Sequence, residues 1–264
     1  MSAATTRGPI KALVVVTYLA MVTMNYLANA LPLNGRGTGD VPDAYPSLFT
    51  PAGLTFSIWG VIYLLLGLHV LYQLGLFRGD EQDDVLLNRV GLLFSVSSLA
   101  NTAWVFAWHY DVIWLSVVLI VTILVCLILI TNILRSADLT ARQRWLVGVP
   151  FSVYFGWTTV ATVANITVLL VSLNWNGFGL PDSTWAAVIV VVAMIIGTAT
   201  MLRNGDVAYG LVLIWAYLGI LLRQTSADGL NGRYTVIIAT VIGSLVVYVV
   251  AEAVVLRRRV SVRP

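Results

Sequence analysis

Three apolar stretches of the sequence each carry aromatic or amide side chains three or four residues apart. Residues with this spacing share one face of a helix. Flat rings with a few amides suit contact with a planar apolar ligand better than acid–base chemistry. Taken singly, each Trp is better explained by core packing or, at the end of a span, by the interfacial aromatic belt. The shared pattern favours a ligand site, and we predict that one aromatic pocket is lined by Phe56, Trp59, Tyr63, Asn101, Trp104, Trp108, Trp157, Ala161 and Asn165.

Groups suited to other chemistry are scarce in the sequence. Apart from basic residues within four residues of a span end, His69 and Glu252 are the only Asp, Glu, His, Lys or Arg residues inside the apolar stretches. We expect His69 to be a hydrogen-bonded core residue and Glu252, five residues before Arg257, to reach the membrane surface. The single cysteine, Cys126, excludes an intrachain disulfide. The sequence shows no Ser/His/Asp set and no metal-ligand spacing, so acyl transfer and metal-dependent hydrolysis have no support.

The elements that must position these side chains are membrane-spanning helices. Of the 264 residues, 59% are hydrophobic and 10% are charged, against roughly 25% charged residues in soluble domains. This composition excludes soluble enzymes and nucleic-acid-binding modules. A helix needs about 20 apolar residues to cross a bilayer, and we predict an all-α integral membrane protein with eight such spans, at about 10–31, 51–77, 86–108, 112–134, 143–172, 183–202, 207–222 and 234–257. In the second span, Gly53, Gly60 and Gly67 recur every seven residues, which predicts close helix approach.

The basic residues predict the orientation of the chain. In an eight-span arrangement, 12 of the 15 Lys and Arg residues fall on one side and 3 on the other. Cytoplasmic loops carry this excess. We therefore expect a multi-pass protein of a bacterial-type inner or plasma membrane with both termini in the cytoplasm.

Three segments carry the pattern of a known family. Residues 50–63 read T-P-A-G-L-T-F-S-I-W-G-V-I-Y, close to the P-P-x-x-x-F-x-x-V-W-x-x-L-Y of that family's second helix. Residues 100–109 keep the Asn and Trp of its third helix, L-N-x-x-W-S-x-x-F-F, but not the Ser. Trp157, Ala161 and Asn165 have the spacing of its fifth helix, whereas Pro150 lies seven residues before Trp157 instead of four. Over about residues 10–176 the sequence resembles the TspO/MBR family, the tryptophan-rich sensory proteins related to the mitochondrial translocator protein.

This resemblance implies a five-helix ligand-binding bundle over residues 1–176. Residues 177–264 then form about three additional helices and a basic cytoplasmic tail. The resemblance also implies a pocket beneath the loop between the first two helices, which binds porphyrins and other planar apolar molecules and sometimes sterols. The family's Trp in that loop is missing from residues 32–50, which argues against porphyrin-degrading chemistry.

Three function classes compete on this evidence. We favour a sensory membrane protein that binds a planar apolar ligand such as a porphyrin or other tetrapyrrole, with no obligatory cofactor. The first alternative is a small transporter or permease for a hydrophobic solute, which three extra helices permit. The second is an enzyme that uses Trp157 in redox chemistry on bound porphyrin. We expect the lipid bilayer and the ligand as partners, expect no nucleic acid, and leave a homodimer open.

Overall fold

Eight long helices make up most of the part of the chain that the structure describes. The computed structural model describes residues 7–31, 33–45, 47–77 and 84–261; Arg78 and Arg263, both used in the charge count above, lie outside them. Each helix is long and apolar enough to cross a membrane, and no strand occurs within those four ranges. The all-α, eight-span prediction is confirmed. The helices are α1 Arg7–Ala30, α2 Ile58–Leu74, α3 Asp84–His109, α4 Ile113–Arg135, α5 Ala141–Ser172, α6 Asp182–Asn204, α7 Val207–Thr225 and α8 Thr235–Ser261.

Two of the connections are tight turns, as the short polar gaps in the sequence predict. Asp111, with a φ of 58°, turns the chain between α3 and α4. Gly205 ends α6 in the left-handed conformation with a φ of 60°, a backbone that glycine adopts without strain. Asp206 then caps α7, because its carboxylate accepts a hydrogen bond from the Tyr209 N–H at 3.1 Å. These turns make α3–α4 and α6–α7 antiparallel hairpins.

The second span begins differently from the prediction of a helix from residue 51. Pro51 and Ala52 precede a 3-10 segment, Gly53–Ser57, and regular helix begins at Ile58. Ala52 has an extended backbone with φ −59° and ψ 147°. Phe56 therefore lies on the 3-10 segment and does not continue the α-helical face that carries Trp59 and Tyr63. The expected i, i+3, i+7 stripe is wrong at its first position.

The fifth span contains a change of helix type ahead of its proline. A capping box between Thr140 and Gln143 starts the span, since each side chain satisfies a backbone N–H of the other residue. A π-helical turn, Arg144–Gly148, precedes Pro150. Proline supplies no N–H to the helical ladder, and wider turns are a common way to accommodate such an interruption. The helix then continues to Ser172.

The chain forms two compact units, and the first comprises residues 1–38 and 59–155. In it, α1 packs against α3, and α3 packs against α4. Gly67 has no room for a side chain, because an added Cβ would lie 2.7 Å from the Tyr18 hydroxyl of α1. Gly53 and Gly60 have open space around that position. Of the three glycines in the predicted stripe, Gly67 alone lies close to a side chain of another helix, and the predicted close approach of two helices stays a prediction.

The second unit comprises residues 39–58 and 156–264. Here α8 packs against both α6 and α7, and α7 also packs against the 3-10 segment 53–57. Gly156 on α5 brings the chain close to α7, since an added Cβ would lie 2.9 Å from the Val212 side chain and 3.0 Å from the Tyr209 carbonyl. The predicted division of the chain at residue 176 stays a prediction.

Candidate functional site

Five aromatic side chains of the first unit contact one another, and we call them the tryptophan cluster. They are Trp59 and Tyr63 on α2, Trp104 and Trp108 on α3, and Tyr154 on α5. Trp59 stacks on Tyr63 with centroids 5.6 Å apart and planes 19° apart, and Trp104 stacks on Trp108 at 5.5 Å and 18°. Trp59 joins the two pairs, since its ring lies 6.3 Å from Trp104 and 6.1 Å from Tyr154. Three helices thus contribute to one aromatic surface composed of uncharged rings.

Amide side chains join the tryptophan cluster to α1. The Asn25 amide nitrogen donates to Asn101 Oδ1 at 2.7 Å and to the Met21 carbonyl at 2.9 Å. The Asn101 nitrogen donates to the Tyr154 hydroxyl at 3.3 Å. Asn101 and Tyr154 are fully buried, and Asn25 is 6% exposed. Because apolar surroundings make unsatisfied amides costly, these bonds fix the relative positions of α1, α3 and α5 within the first unit.

The outer edge of the cluster is tied to the start of the loop between α1 and α2. The Trp108 indole N–H donates to the Thr38 carbonyl at 3.1 Å. His109 contacts the Leu33 carbonyl through Nδ1 at 3.1 Å and the Thr38 hydroxyl through Nε2 at 2.9 Å. A carbonyl can only accept, so Nδ1 carries a proton, and in a neutral imidazole Nε2 then accepts from the Thr38 hydroxyl. An ion pair between Arg36 and Asp111 holds the same part of the loop.

Tyr63 is the polar exception in the cluster. Its hydroxyl oxygen is buried, and no hydrogen-bond partner for it lies among the described residues. The ring itself is only half-buried, as is the Trp59 ring stacked on it. Trp59 and Tyr63 are thus both partly exposed, and the Tyr63 hydroxyl has no hydrogen-bond partner among the described residues.

The second unit contains a separate aromatic pair formed by Phe56 and Trp157. Their ring centroids lie 5.7 Å apart with planes at 83°, an edge-to-face contact. Trp157 is 2% exposed. One turn further along α5, Ala161 is half-buried, and Asn165, two turns along, is 1% exposed. All four predicted site residues of the second unit thus lie at least partly inside the protein.

The segment 47–56, which leads into α2, is held by α7. The Trp215 indole N–H donates to the Thr55 carbonyl at 3.0 Å, and the Gln224 amide donates to the Leu48 carbonyl at 2.8 Å. The Ala52 N–H donates to the Gly219 carbonyl at 3.0 Å. A Cβ on Gly219 would overlap the Thr55 side chain. The helix α7 therefore positions the segment in which the second-helix motif begins.

The structure brings five of the nine predicted site residues together in the first unit and places the other four in the second. That all nine line one pocket stays a prediction. Sequence analysis missed two contributors to the first group, Tyr154 and Asn25. Tyr154 lies only three residues before Trp157, and Asn25 and Asn29 recur four residues apart in an otherwise apolar span; both signals are visible in the sequence. Within the described part of the chain, no group of three His, Cys, Asp or Glu side chains could hold a metal ion.

Comparison with known families decides what kind of protein this arrangement belongs to. A model of the family described as TSPO-like protein matches residues 11–253. The chain belongs to the TSPO-like protein family. The resemblance seen in the motifs is thereby confirmed, and this TSPO-like protein is a multi-pass integral membrane protein. The match begins in α1 and ends in α8, so it extends well past residue 176, where the motif resemblance stopped. Comparisons with curated proteins and with solved structures gave no match.

Proposed function

We propose that this TSPO-like protein binds a planar apolar ligand, such as a porphyrin, against the stacked pair of Trp59 and Tyr63 and serves a sensory role. The observation that carries the proposal is the buried, unpartnered Tyr63 hydroxyl, on a ring that stacks on the partly exposed Trp59. The rings and hydroxyls of the tryptophan cluster, with the amides of Asn25 and Asn101 beside it, are groups that bind and orient a ligand. Sensing by binding is therefore favoured over catalysis.

The two rings supply the affinity. They are stacked nearly parallel, 19° apart, so a flat ligand can extend the stack by lying on the free face of one ring. Aromatic contacts of this kind contribute about 0.5–1.5 kcal/mol beyond the apolar area that they bury. Because the faces of the rings carry partial negative charge, they disfavour anionic groups, and carboxylates of a porphyrin must point away from them.

The Tyr63 hydroxyl orients the bound ligand. A buried hydroxyl without a partner costs the free protein about 1–3 kcal/mol. A ligand that presents an acceptor, such as a ring nitrogen or a carbonyl oxygen, recovers part of that cost. Planar hydrocarbons without an acceptor should therefore bind more weakly than heteroaromatic ligands of the same size.

The test is a titration of protoporphyrin IX into the detergent-purified full-length protein, followed by Trp fluorescence and porphyrin absorbance. Tyr63→Phe keeps the ring and removes the hydroxyl, so we expect affinity to fall about fivefold, the equivalent of one hydrogen bond of about 1 kcal/mol. Its stability without ligand should stay equal or rise, because an unpaired buried hydroxyl is removed. Trp59→Leu should weaken binding more than Tyr63→Phe does.

Tyr26→Phe is the matched control, since Tyr26 on α1 is 70% exposed. It should leave affinity unchanged. The proposal fails if the wild-type protein does not bind protoporphyrin, or if Tyr63→Phe and Trp59→Leu bind it as tightly as the Tyr26→Phe control.

A further inference from the structure

The second unit buries a carboxylate that the sequence predicts at the membrane surface. Glu252 on α8 is 6% exposed, and both of its carboxylate oxygens are buried. Neither oxygen has a hydrogen-bond partner among the described residues. The expectation that this side chain reaches the interface near Arg257 is therefore wrong.

A glycine on α7, Gly210, leaves the space for this carboxylate. A Cβ added to Gly210 would collide with the Glu252 carboxylate and with the sulfur of Met201 on α6. Glu252 thus lies where α6, α7 and α8 meet, against a glycine and a thioether. Neither neighbour can neutralise a negative charge.

The charged groups near Glu252 lie toward one end of the unit. Asp206 caps α7 one turn before Gly210, and Arg259 lies two turns after Glu252 in the last turn of α8. The Arg259 guanidinium is engaged elsewhere, because it donates to the Gly205 carbonyl at 2.6 and 3.0 Å.

The remaining titratable groups at this end do not offset the charge of Glu252. The Tyr209 hydroxyl on α7 bonds to Thr159, at 3.2 Å. Tyr248, one turn before Glu252 on α8, donates to the Ala193 carbonyl at 3.3 Å. Arg203 lies in the last turn of α6. No direct ion pair to Glu252 is formed by these described residues.

These surroundings favour the protonated form of the Glu252 carboxyl group. An ionised carboxylate buried without a partner is very costly, and such groups in proteins take up a proton instead. The carboxyl can ionise only if water enters or if α7 and α8 move apart far enough to expose it.

We propose that Glu252 is a proton-binding site of the C-terminal helices, loaded from the end of the unit that carries Gly205, Asp206 and Arg259. On loading, a hydronium ion gives its proton to a carboxylate oxygen, an O–H bond forms, and water is left; release reverses the step. In the form with Glu252 protonated, α8 packs closely against Gly210. This site is independent of the proposed porphyrin site.

The composition of the chain allows a direct spectroscopic test. Glu81 and Glu252 are the only glutamates in the sequence. In the Glu81→Gln variant of the full chain, Glu252 is the only glutamate. When this variant is made with glutamate that carries ¹³C in its side-chain carboxyl group, the labelled carboxyl bands in its infrared spectrum therefore come from Glu252 alone. We expect the C=O band of a protonated carboxyl at neutral pH and its reversible conversion to the carboxylate bands as the pH is raised. Glu252→Gln protein, labelled in the same way, should lack the band.

Two glycine variants test the position of the site. Gly210→Ala puts a methyl group where the carboxylate lies, so it should displace Glu252 toward solvent and remove most of the protonated band at neutral pH. Gly243→Ala on the same helix as Glu252 has open space around the added methyl and should leave the band unchanged.

The proposal is overturned if the labelled Glu252 is ionised at neutral pH, or if it stays protonated at every pH at which the protein remains folded. An unchanged band in Gly210→Ala would also overturn the assignment to the junction of α6, α7 and α8. The measurement uses no porphyrin, so its result does not depend on whether protoporphyrin binds.

Discussion

The hydrogen bond between Asn25 and Asn101 can be tested by a double-mutant cycle in the first unit. The variants are Asn25→Ala, Asn101→Ala and the double substitution. Each single variant removes one amide and leaves the other without its partner. If the bond holds α1 against α3, the double variant should lose less unfolding free energy than the two single variants lose together. The reason is that each single substitution already removes this one bond.

The geometry sets the size of the effect. The bond is 2.7 Å long and joins two side chains that are at most 6% exposed. Each single substitution should cost about 1–3 kcal/mol, since it orphans a buried polar group. Interhelical hydrogen bonds in a membrane protein give coupling energies that average about 0.6 and reach about 1.7 kcal/mol. The short distance places this pair in the upper part of that range, and Asn25 keeps its second bond, to Met21, in the Asn101 variant.

The assay is reversible unfolding in mixed micelles with increasing dodecyl sulfate. A control cycle combines Asn25→Ala with Thr122→Val on α4, because the Thr122 hydroxyl is exposed and donates to the Val118 carbonyl within its own helix. That pair should be additive to about 0.3–0.5 kcal/mol. A coupling between Asn25 and Asn101 no larger than the control value would refute the inference that this bond holds α1 against α3.

Other substitutions and fusions test the second unit and the topology. Gly219→Ala should destabilise the protein by about 1–3 kcal/mol through overpacking, whereas Gly243→Ala should be neutral or stabilising in the same unfolding assay. If Trp157 contacts the ligand, as the sequence predicts, Trp157→Phe should weaken protoporphyrin binding and barely change the melting temperature; the reverse result would assign Trp157 to the core. A reporter enzyme fused to the C-terminus should be cytoplasmic, and a reporter inserted near Gly37 should be external. The opposite location for either reporter would contradict the orientation predicted from the basic residues.

The spans were predictable because their lengths are set by the bilayer. An apolar run of about 20 residues predicts a crossing helix from local composition alone. The stacked pairs of the tryptophan cluster were predictable for a similar reason. Trp59 with Tyr63, and Trp104 with Trp108, lie four residues apart, so each pair is formed within one helix.

Contacts between distant parts of the chain were not predictable from periodicity. Phe56 shares a helical face with Trp59 only if the helix begins at residue 51, and the extended backbone at Ala52 prevents that. Phe56 instead lies against Trp157, which is about a hundred residues further along the sequence. Hydrogen bonds from α7 to the segment 47–56 join parts of the chain about 160 to 176 residues apart. No local pattern encodes which helix covers a loop.

Glu252 shows why a single helix can give the wrong environment for a charged residue. Counted along α8 alone, its position near Arg257 predicts a side chain that extends to the interface, because long polar side chains near span ends do so. Its actual surroundings depend on α7, where Gly210 leaves the space that the carboxylate occupies, and on Gly205, which engages Arg259. Gly219 accommodates Thr55 in the same way. In this protein, the glycines of α7 therefore indicate where polar groups from other segments enter the apolar interior, and such positions can be recognised only once the helices that face them are known.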